Sequence, residues 1–307
     1  MTSNNILITI VGPTAIGKTA LSIQLANHFK SDIISCDSRQ FFKEMTIGTA
    51  VPNTDELAAA THHFIQNRSI LEEYNVGAFE RDALKKLDEL FSENPIQIMV
   101  GGSGLYVDAV LKGLDYFPKV APEIRQTLTL QLEKEGIEFL QNKLKELDFE
   151  TYNIIELKNP KRLIRALEIC IGTGTPYSTF KNKPKIPRNF HSIKIGLNAD
   201  REVVYNRINR RVDIMIKNGL LEEAKKLQQY KNLNALQTVG YRELFSCFEG
   251  DFTKEFAISE IKKNTRRFAK RQETWFKRDE NTLWFDHLTE TNAIIAKISD
   301  KINILNG

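Results

Sequence analysis

Residues 12–19 read GPTAIGKT and fit G-x-x-x-x-G-K-[ST], a loop whose backbone N–H groups cradle phosphate oxygens. Gly12 and Gly17 let the backbone approach an anion closely. Pro13, Thr14, Ala15 and Ile16 fill the loop, and Lys18 and Thr19 add a mobile positive charge and a hydroxyl. The chemistry this implies is the binding of a phosphate compound, most often a nucleoside triphosphate. A second cluster, IISCDSRQ at residues 33–40, sets Asp37, Ser38, Arg39 and Gln40 at the end of an apolar run. A carboxylate there can hold a metal or a substrate hydroxyl beside the phosphates, or simply cap the next segment. A third, VGGSGLY at residues 100–106, offers two glycines and the Ser103 hydroxyl; a tight turn accounts for it equally well. In YNRINRRVDIM (205–215), Arg207 and Arg211 lie four apart on one helical face, able to clamp a diphosphate, while Arg210 is expected to point elsewhere.

Positioning these groups takes a sheet. Short apolar runs at 6–11, 32–36, 96–100, 193–197 and 282–285 read as strands, with helical patterns between them. That alternation predicts an α/β fold: a parallel sheet covered by helices on both faces, of the P-loop NTPase-like type. In such sheets ligands sit beyond the C-terminal ends of the strands, where the loop and the Asp37 and Ser103 segments fall. Residues 119–187 carry helical patterns without a convincing strand. They read as a helical insertion between a first core part, 1–118, and a second, 188–307. A helix from Asp200 to residue 217 is expected to be capped by Asp200, and a long one runs from about 254 to 277.

Composition narrows the class. At 307 residues the chain can bury a substantial core, and a net charge of +4 is only mildly basic. Three scattered cysteines form no C-x-x-C pair, which argues against a disulfide framework or a cysteine zinc site. No apolar run reaches the roughly 20 residues of a membrane span, and the N-terminal residues lack a leader pattern. A cytoplasmic protein without a membrane role is the expectation.

The positive charge is concentrated. NPKRLIRALEI (159–169) reads as a helix with Lys161, Arg162 and Arg165 on a basic side and Leu163, Ile164 and Leu167 on an apolar one. TRRFAKRQETWFK (265–277) is denser, with Arg266, Arg267, Lys270 and Arg271 interleaved with aromatic residues. Either is a solvated face or a contact for a polyanion, and aromatics among basic residues suit nucleic acid.

These blocks, with IGTAVP (47–52), His62–His63 and TVGYRE (238–243), resemble the tRNA dimethylallyltransferases (tRNA isopentenyltransferases) in their bacterial form, over nearly the whole chain. The resemblance implies transfer of a dimethylallyl group from dimethylallyl diphosphate to N6 of the adenine 3′-adjacent to the tRNA anticodon. It makes residues 12–19 a prenyl diphosphate loop, with Thr19 helping to hold Mg²⁺, and Asp37 the carboxylate that orients the adenine amine and takes its proton. Arg207 or Arg211 corresponds to a diphosphate-clamping arginine. Ser38, Arg39, Gln40, Ser103, Lys161, Arg162, Leu163, Ile164, Arg165, Gly240, Tyr241 and Arg242 fall in blocks that contact the tRNA. Ser103 stands where the family usually has threonine; the hydroxyl is kept. The insertion corresponds to the part that grips the anticodon stem-loop, and a monomer is expected.

Two other classes, and a third reading among the family's relatives, fit parts of the pattern. A P-loop nucleotide kinase or nucleotidase would need a second acidic metal ligand, which the VGGS end of the third run lacks. A non-catalytic RNA-binding protein would not need Lys18, Thr19 and Asp37. An adenylate isopentenyltransferase, acting on free nucleotides, would not need the basic insertion.

Overall fold

Alternation decides how β1 (Ile6–Val11) is buried: Ile6, Ile8 and Ile10 join one apolar cluster and Leu7 and Val11 another, all without solvent exposure. A strand buried on both faces belongs at the centre of a covered sheet. A computed structural model of the chain describes residues 4–306 and places it there. Along the chain follow α1 (Lys18–Phe29), β2 (Ile33–Ser35), α2 (Thr54–Ala59), β3 (His62–His63), α3 (Val76–Phe91), β4 (Ile96–Val100) and α4 (Gly104–Lys112). Then come α5 (Pro122–Glu135), α6 (Ile137–Leu147), α7 (Phe149–Ile154) and α8 (Pro160–Thr173). The chain continues through β5 (His191–Asn198), α9 (Arg201–Lys217), α10 (Leu220–Leu227), α11 (Tyr241–Phe248), α12 (Lys254–Phe276), β6 (Leu283–Asp286) and α13 (Thr291–Asn306).

The described strands form one sheet in the order β3-β2-β4-β1-β5-β6, with every neighbouring pair parallel. The α/β parallel sheet read from the sequence is therefore present. β3 is an addition: His62 and His63 pair with Ile33 and Ile34, too short and too polar a strand to show a period. Helices α1, α9 and α13 cover one face through Leu21, Leu25, Val204, Ile208, Ile294 and Ile298. Helices α3 and α4 cover the other through Phe79, Ala83, Leu87, Val107 and Val110. A further cluster binds α9 to α10, α11 and α12, with Val212, Leu220, Ala224, Tyr241, Leu244, Ala257 and Ile261 at its centre. Asp200 occupies the N-cap position of α9, but its side chain makes no capping hydrogen bond, against expectation.

The chain divides into two compact units. One holds the sheet and takes the chain up to Lys112 and again from Arg188; the other is Gly113–Pro187. The helical unit thus starts before residue 119. The connecting stretch belongs to it because Phe117 stacks on Tyr177 (4.6 Å between centroids) and Lys185 Nζ donates to the Gly113 carbonyl at 2.9 Å. Leu128, Leu140, Leu144, Leu163 and Leu167 form its core. Among the described residues no helix is long and apolar enough to cross a membrane.

Candidate functional site

β1 ends at Val11, and the chain must turn at once to enter α1. It does so through three left-handed residues, Gly12 (φ 142°), Ala15 (φ 64°) and Gly17 (φ 116°). Such alternation curls successive N–H groups inward into an anion-binding concavity. At Gly12 only glycine fits, since a Cβ would stand 2.6 Å from the Leu197 carbonyl oxygen of β5. The loop lines a cavity of about 600 Å³ beyond the C-terminal ends of β1, β2 and β4. Ser35 and Asp37 enter the lining from β2, and Val100, Gly101 and Gly102 from β4.

Lys18 donates its Nζ to the carbonyls of Gly12 (3.0 Å) and Pro13 (2.8 Å). Burial lowers its pKa from the usual lysine value to about 8, opposed by the negative charge of Asp37. From α9, Arg207 donates Nε to the Ala15 carbonyl at 2.8 Å, and Arg211 reaches the Thr14 hydroxyl at 3.4 Å. Arg211 is half-buried and its pKa is pulled down by that burial; Arg207 is exposed. Arg210 lines the same cavity, contrary to the expectation that it points away. A residue between two cavity-facing positions of a helix still reaches the rim when its side chain is as long as arginine.

A second cavity, of about 490 Å³, adjoins the first. Five residues line both: Thr14, Asp37, Thr49, Gly102 and Arg211. Asp37 thus stands at the junction, with its Oδ1 accepting the Arg39 N–H at 3.0 Å. The second cavity is more apolar. Helix α12 supplies Ile261, Thr265, Phe268, Gln272 and Trp275, a stripe at steps of four and three that presents one helical face. Ser38, Arg39, Ser103, Gly240 and Arg242 also line it. Ser103 Oγ accepts the Ser38 N–H at 3.1 Å and donates to Ser38 Oγ at 3.0 Å, which ties the end of β4 to the segment after β2.

Several sequence-derived residues are engaged within the protein. The Arg39 guanidinium donates to the carbonyls of Asn234 (2.8 Å) and Ala235 (3.1 Å). Gln40 donates to the carbonyls of Thr49 (3.2 Å) and Ala50 (2.9 Å) and accepts from Ser35 Oγ. Tyr241 is fully buried and lines neither cavity; its hydroxyl donates to Glu223 at 2.6 Å, so it supports the wall instead of contacting a ligand. In the helical unit, Leu163 and Ile164 are buried in the core and cannot present side chains to a partner. Lys161 and Arg162 are exposed, and Arg165 pairs with the buried Glu168, which also accepts Arg125 Nε at 2.7 Å.

Sequence reasoning missed two supports. Glu223 on α10 accepts backbone N–H groups of Thr46 (3.0 Å), Ile47 (2.8 Å) and Gly48 (2.9 Å) and so fixes the turn that carries Thr49. Gln272 bridges the phosphate loop and the glycine turn after β4. Apart from the Tyr241 hydroxyl on Glu223, their partners are backbone groups, which leave no mark in the sequence.

Comparison with known proteins gives a consistent picture. The family model described as IPP transferase matches residues 40–279. A tRNA dimethylallyltransferase of Flavobacterium psychrophilum is 66% identical over 304 residues, covering 97% of this chain and 99% of the relative. One from Flavobacterium johnsoniae is 62% identical, covering 96% and 98%. The solved tRNA isopentenylpyrophosphate transferase of Bacillus halodurans superposes with a TM-score of 0.73 at 35% identity, covering 98% of each chain. A eukaryotic dimethylallyltransferase acting on tRNA superposes with a TM-score of 0.83 at 26% identity, covering 97% of this chain and 80% of the other.

Proposed function

The chain belongs to the IPP transferase family, and on that premise we propose that it transfers the dimethylallyl group of dimethylallyl diphosphate to N6 of the adenine 3′-adjacent to the anticodon of tRNA. The observation that carries this reading is the place of Asp37 where the two cavities meet. Most of the anion-binding loop, with Arg207 and Arg210, lies on one side, Arg211 borders both, and a more apolar face with exposed basic neighbours on α12 lies on the other. Two substrates entering from opposite sides would meet beside one carboxylate.

In the reaction, the adenine N6 lone pair forms a bond to C1 of the dimethylallyl group while the C1–O bond to diphosphate breaks. Negative charge grows on the departing oxygen. The loop N–H groups, Lys18 and Arg211 are placed to stabilise it, the kind of preorganised electrostatics that dominates such steps. Arg207, held on the loop carbonyl, closes the same side. Asp37 orients the amine and takes its proton, a role in which position within hydrogen-bond reach comes before pKa. The adenine must leave its stack, which costs least in a single-stranded loop. The carboxylate, hydroxyl and backbone donors facing this space suit a target base whose amine is held and whose edge is read.

Mg²⁺ fits the donor set. Thr19, Ser35 and Asp37, whose side chains carry hard oxygens, line the phosphate cavity. Among the described residues no cluster of three or more His, Cys, Asp or Glu forms a protein cage. Mg²⁺ characteristically takes one or two protein oxygens and completes its shell with phosphate and water. Bound there, it would neutralise diphosphate charge; Thr19 is the residue that would help hold it. Lys161, Arg162 and Arg165 supply the helical unit's basic face for the anticodon stem-loop, and tRNA as substrate accords with a cytoplasmic location.

Incubating the purified protein with dimethylallyl diphosphate, Mg²⁺ and tRNA, then digesting the RNA to nucleosides, tests the reading. N6-dimethylallyladenosine should appear by mass spectrometry, with no requirement for ATP. RNA-stimulated ATP hydrolysis without prenyl transfer would overturn it in favour of a nucleotidase.

A further inference from the structure

Gln272 is 6% exposed, and its carboxamide has two partners, both distant in sequence. Its Oε1 accepts the Thr14 N–H of the phosphate loop at 2.9 Å, and its Nε2 donates to the Gly102 carbonyl after β4 at 2.9 Å. The fit is tight enough that a Cβ at Gly102 would lie 2.1 Å from Nε2. Thr14 and Gly102 are two of the five residues shared by the cavities, so the amide spans the junction where Asp37 stands. Gln272 itself sits on α12, whose neighbouring Arg267, Lys270 and Arg271 are exposed. Arg266, by contrast, is turned inward onto Asn209 Oδ1 at 2.7 Å.

A carboxamide accepts through its oxygen at one loop and donates through its nitrogen at the other. A carboxylate would satisfy Thr14 but face the Gly102 oxygen with like charge, and an aliphatic side chain would leave both backbone groups unpaired and buried. One side chain therefore ties a helix with a basic exposed side to both the phosphate loop and the β4 turn.

We propose that Gln272 is a positioning residue that couples RNA contact on α12 to the geometry of the phosphate loop, so that RNA binding and diphosphate binding strengthen each other. This rests on the functional reading above. RNA phosphates settling on Arg267, Lys270 and Arg271 restrain α12, and through Gln272 they restrain Thr14 and Gly102. The loop is then ordered for the diphosphate before that ligand arrives, and by linkage the diphosphate must tighten RNA binding by the same factor.

The test measures the affinity of the unreactive analogue dimethylallyl thiolodiphosphate, with Mg²⁺, in the absence and presence of a saturating anticodon stem-loop. The wild-type protein should bind the analogue at least about fivefold more tightly with RNA, within the usual range of coupling between sites. Gln272→Leu should bring that ratio below about twofold and lower kcat by roughly 10- to 100-fold, while affinity for the stem-loop alone changes by less than about twofold. Gln272→Glu, which keeps the bond to Thr14, should lose the ratio as well, and it serves if the leucine variant does not melt cooperatively. A wild-type ratio near one, or a full ratio in a folded Gln272 variant, would overturn the proposal. The functional reading is judged separately, by whether the wild-type protein prenylates the same stem-loop.

Discussion

Nη1 of Arg211 stands 3.4 Å from the Thr14 hydroxyl, close enough to share one ligand oxygen with the phosphate loop. Arg207, one turn earlier, instead donates to the Ala15 carbonyl and is exposed. The two arginines that the sequence could not distinguish thus have different settings. Arg211 lines both cavities and Arg207 only the first. Arg211→Ala is expected to lower kcat/KM for dimethylallyl diphosphate by about 10²–10³, the loss typical of one preorganised charge-stabilising donor. Arg207→Ala should cost clearly less in the same steady-state assay. The reverse ranking would assign the clamp to Arg207.

Lys18 gives a pH signature. Burial holds its pKa at about 8, so in the free protein its positive charge is lost as pH rises through that value. Affinity for dimethylallyl diphosphate should therefore fall above pH 8. Because the bound anion favours the charged lysine, the midpoint should move upward in the complex. Isothermal titration from pH 6.5 to 9.5 should show this decline, and Lys18→Met should bind more weakly and lack it. The depressed pKa has the matching effect on stability. The unfolded lysine binds more protons between pH 8 and its ordinary value, so this group disfavours folding at neutral pH and the penalty fades as pH rises.

Changing Lys161, Arg162 and Arg165 together to alanine should weaken tRNA binding and flatten the dependence of log affinity on log salt. Fewer phosphate contacts release fewer counterions. Affinity for dimethylallyl diphosphate alone should hardly change. Arg165 also pairs with the buried Glu168, but Arg125 remains as a second partner, so the helical unit should still fold. An unchanged salt slope would mean that these side chains are a solvated face and that α12 carries the RNA contact.

Gly101→Ala tests how tightly the β4 turn is held against the segment bearing Asp37. The added methyl would lie 2.5 Å from Cys36 Sγ, 2.8 Å from its carbonyl carbon and 2.9 Å from its oxygen. Backbone cannot yield as a side-chain tip can, so Asp37 must shift. Thermal or urea unfolding should show destabilisation of about 1–3 kcal/mol, the usual cost of overpacking. A variant as stable and as active as wild type would show the turn to be compliant.

The phosphate loop, the parallel sheet and the segment around Asp37 were legible because each depends on residues close in sequence. A glycine-lysine pattern and an apolar run announce themselves locally. β3 escaped because two histidines show no period, and its pairing with β2 is a long-range fact. Glu223 and Gln272 escaped because the groups they hold are mainly backbone N–H and carbonyl groups of segments up to 258 residues away in sequence. Tyr241, Leu163 and Ile164, read as tRNA-contacting from the resemblance, are buried. They lie in blocks shared with the family, but a block mixes residues that touch a ligand with residues that hold the block in place. Only burial separates the two.

Single-turnover transfer to a stem-loop tests the central claim most directly. The wild-type protein and Asp37→Ala would be mixed, in excess, with labelled dimethylallyl diphosphate, Mg²⁺ and an anticodon stem-loop carrying adenine or guanine 3′-adjacent to the anticodon. The wild-type protein should label the adenine RNA at N6 and leave the guanine RNA unlabelled. Asp37→Ala should bind the adenine RNA nearly as well but transfer about 10²–10⁴ times more slowly, the range for a positioned acid–base group. Transfer by Asp37→Ala at the wild-type rate, or label on the guanine RNA, would contradict the account.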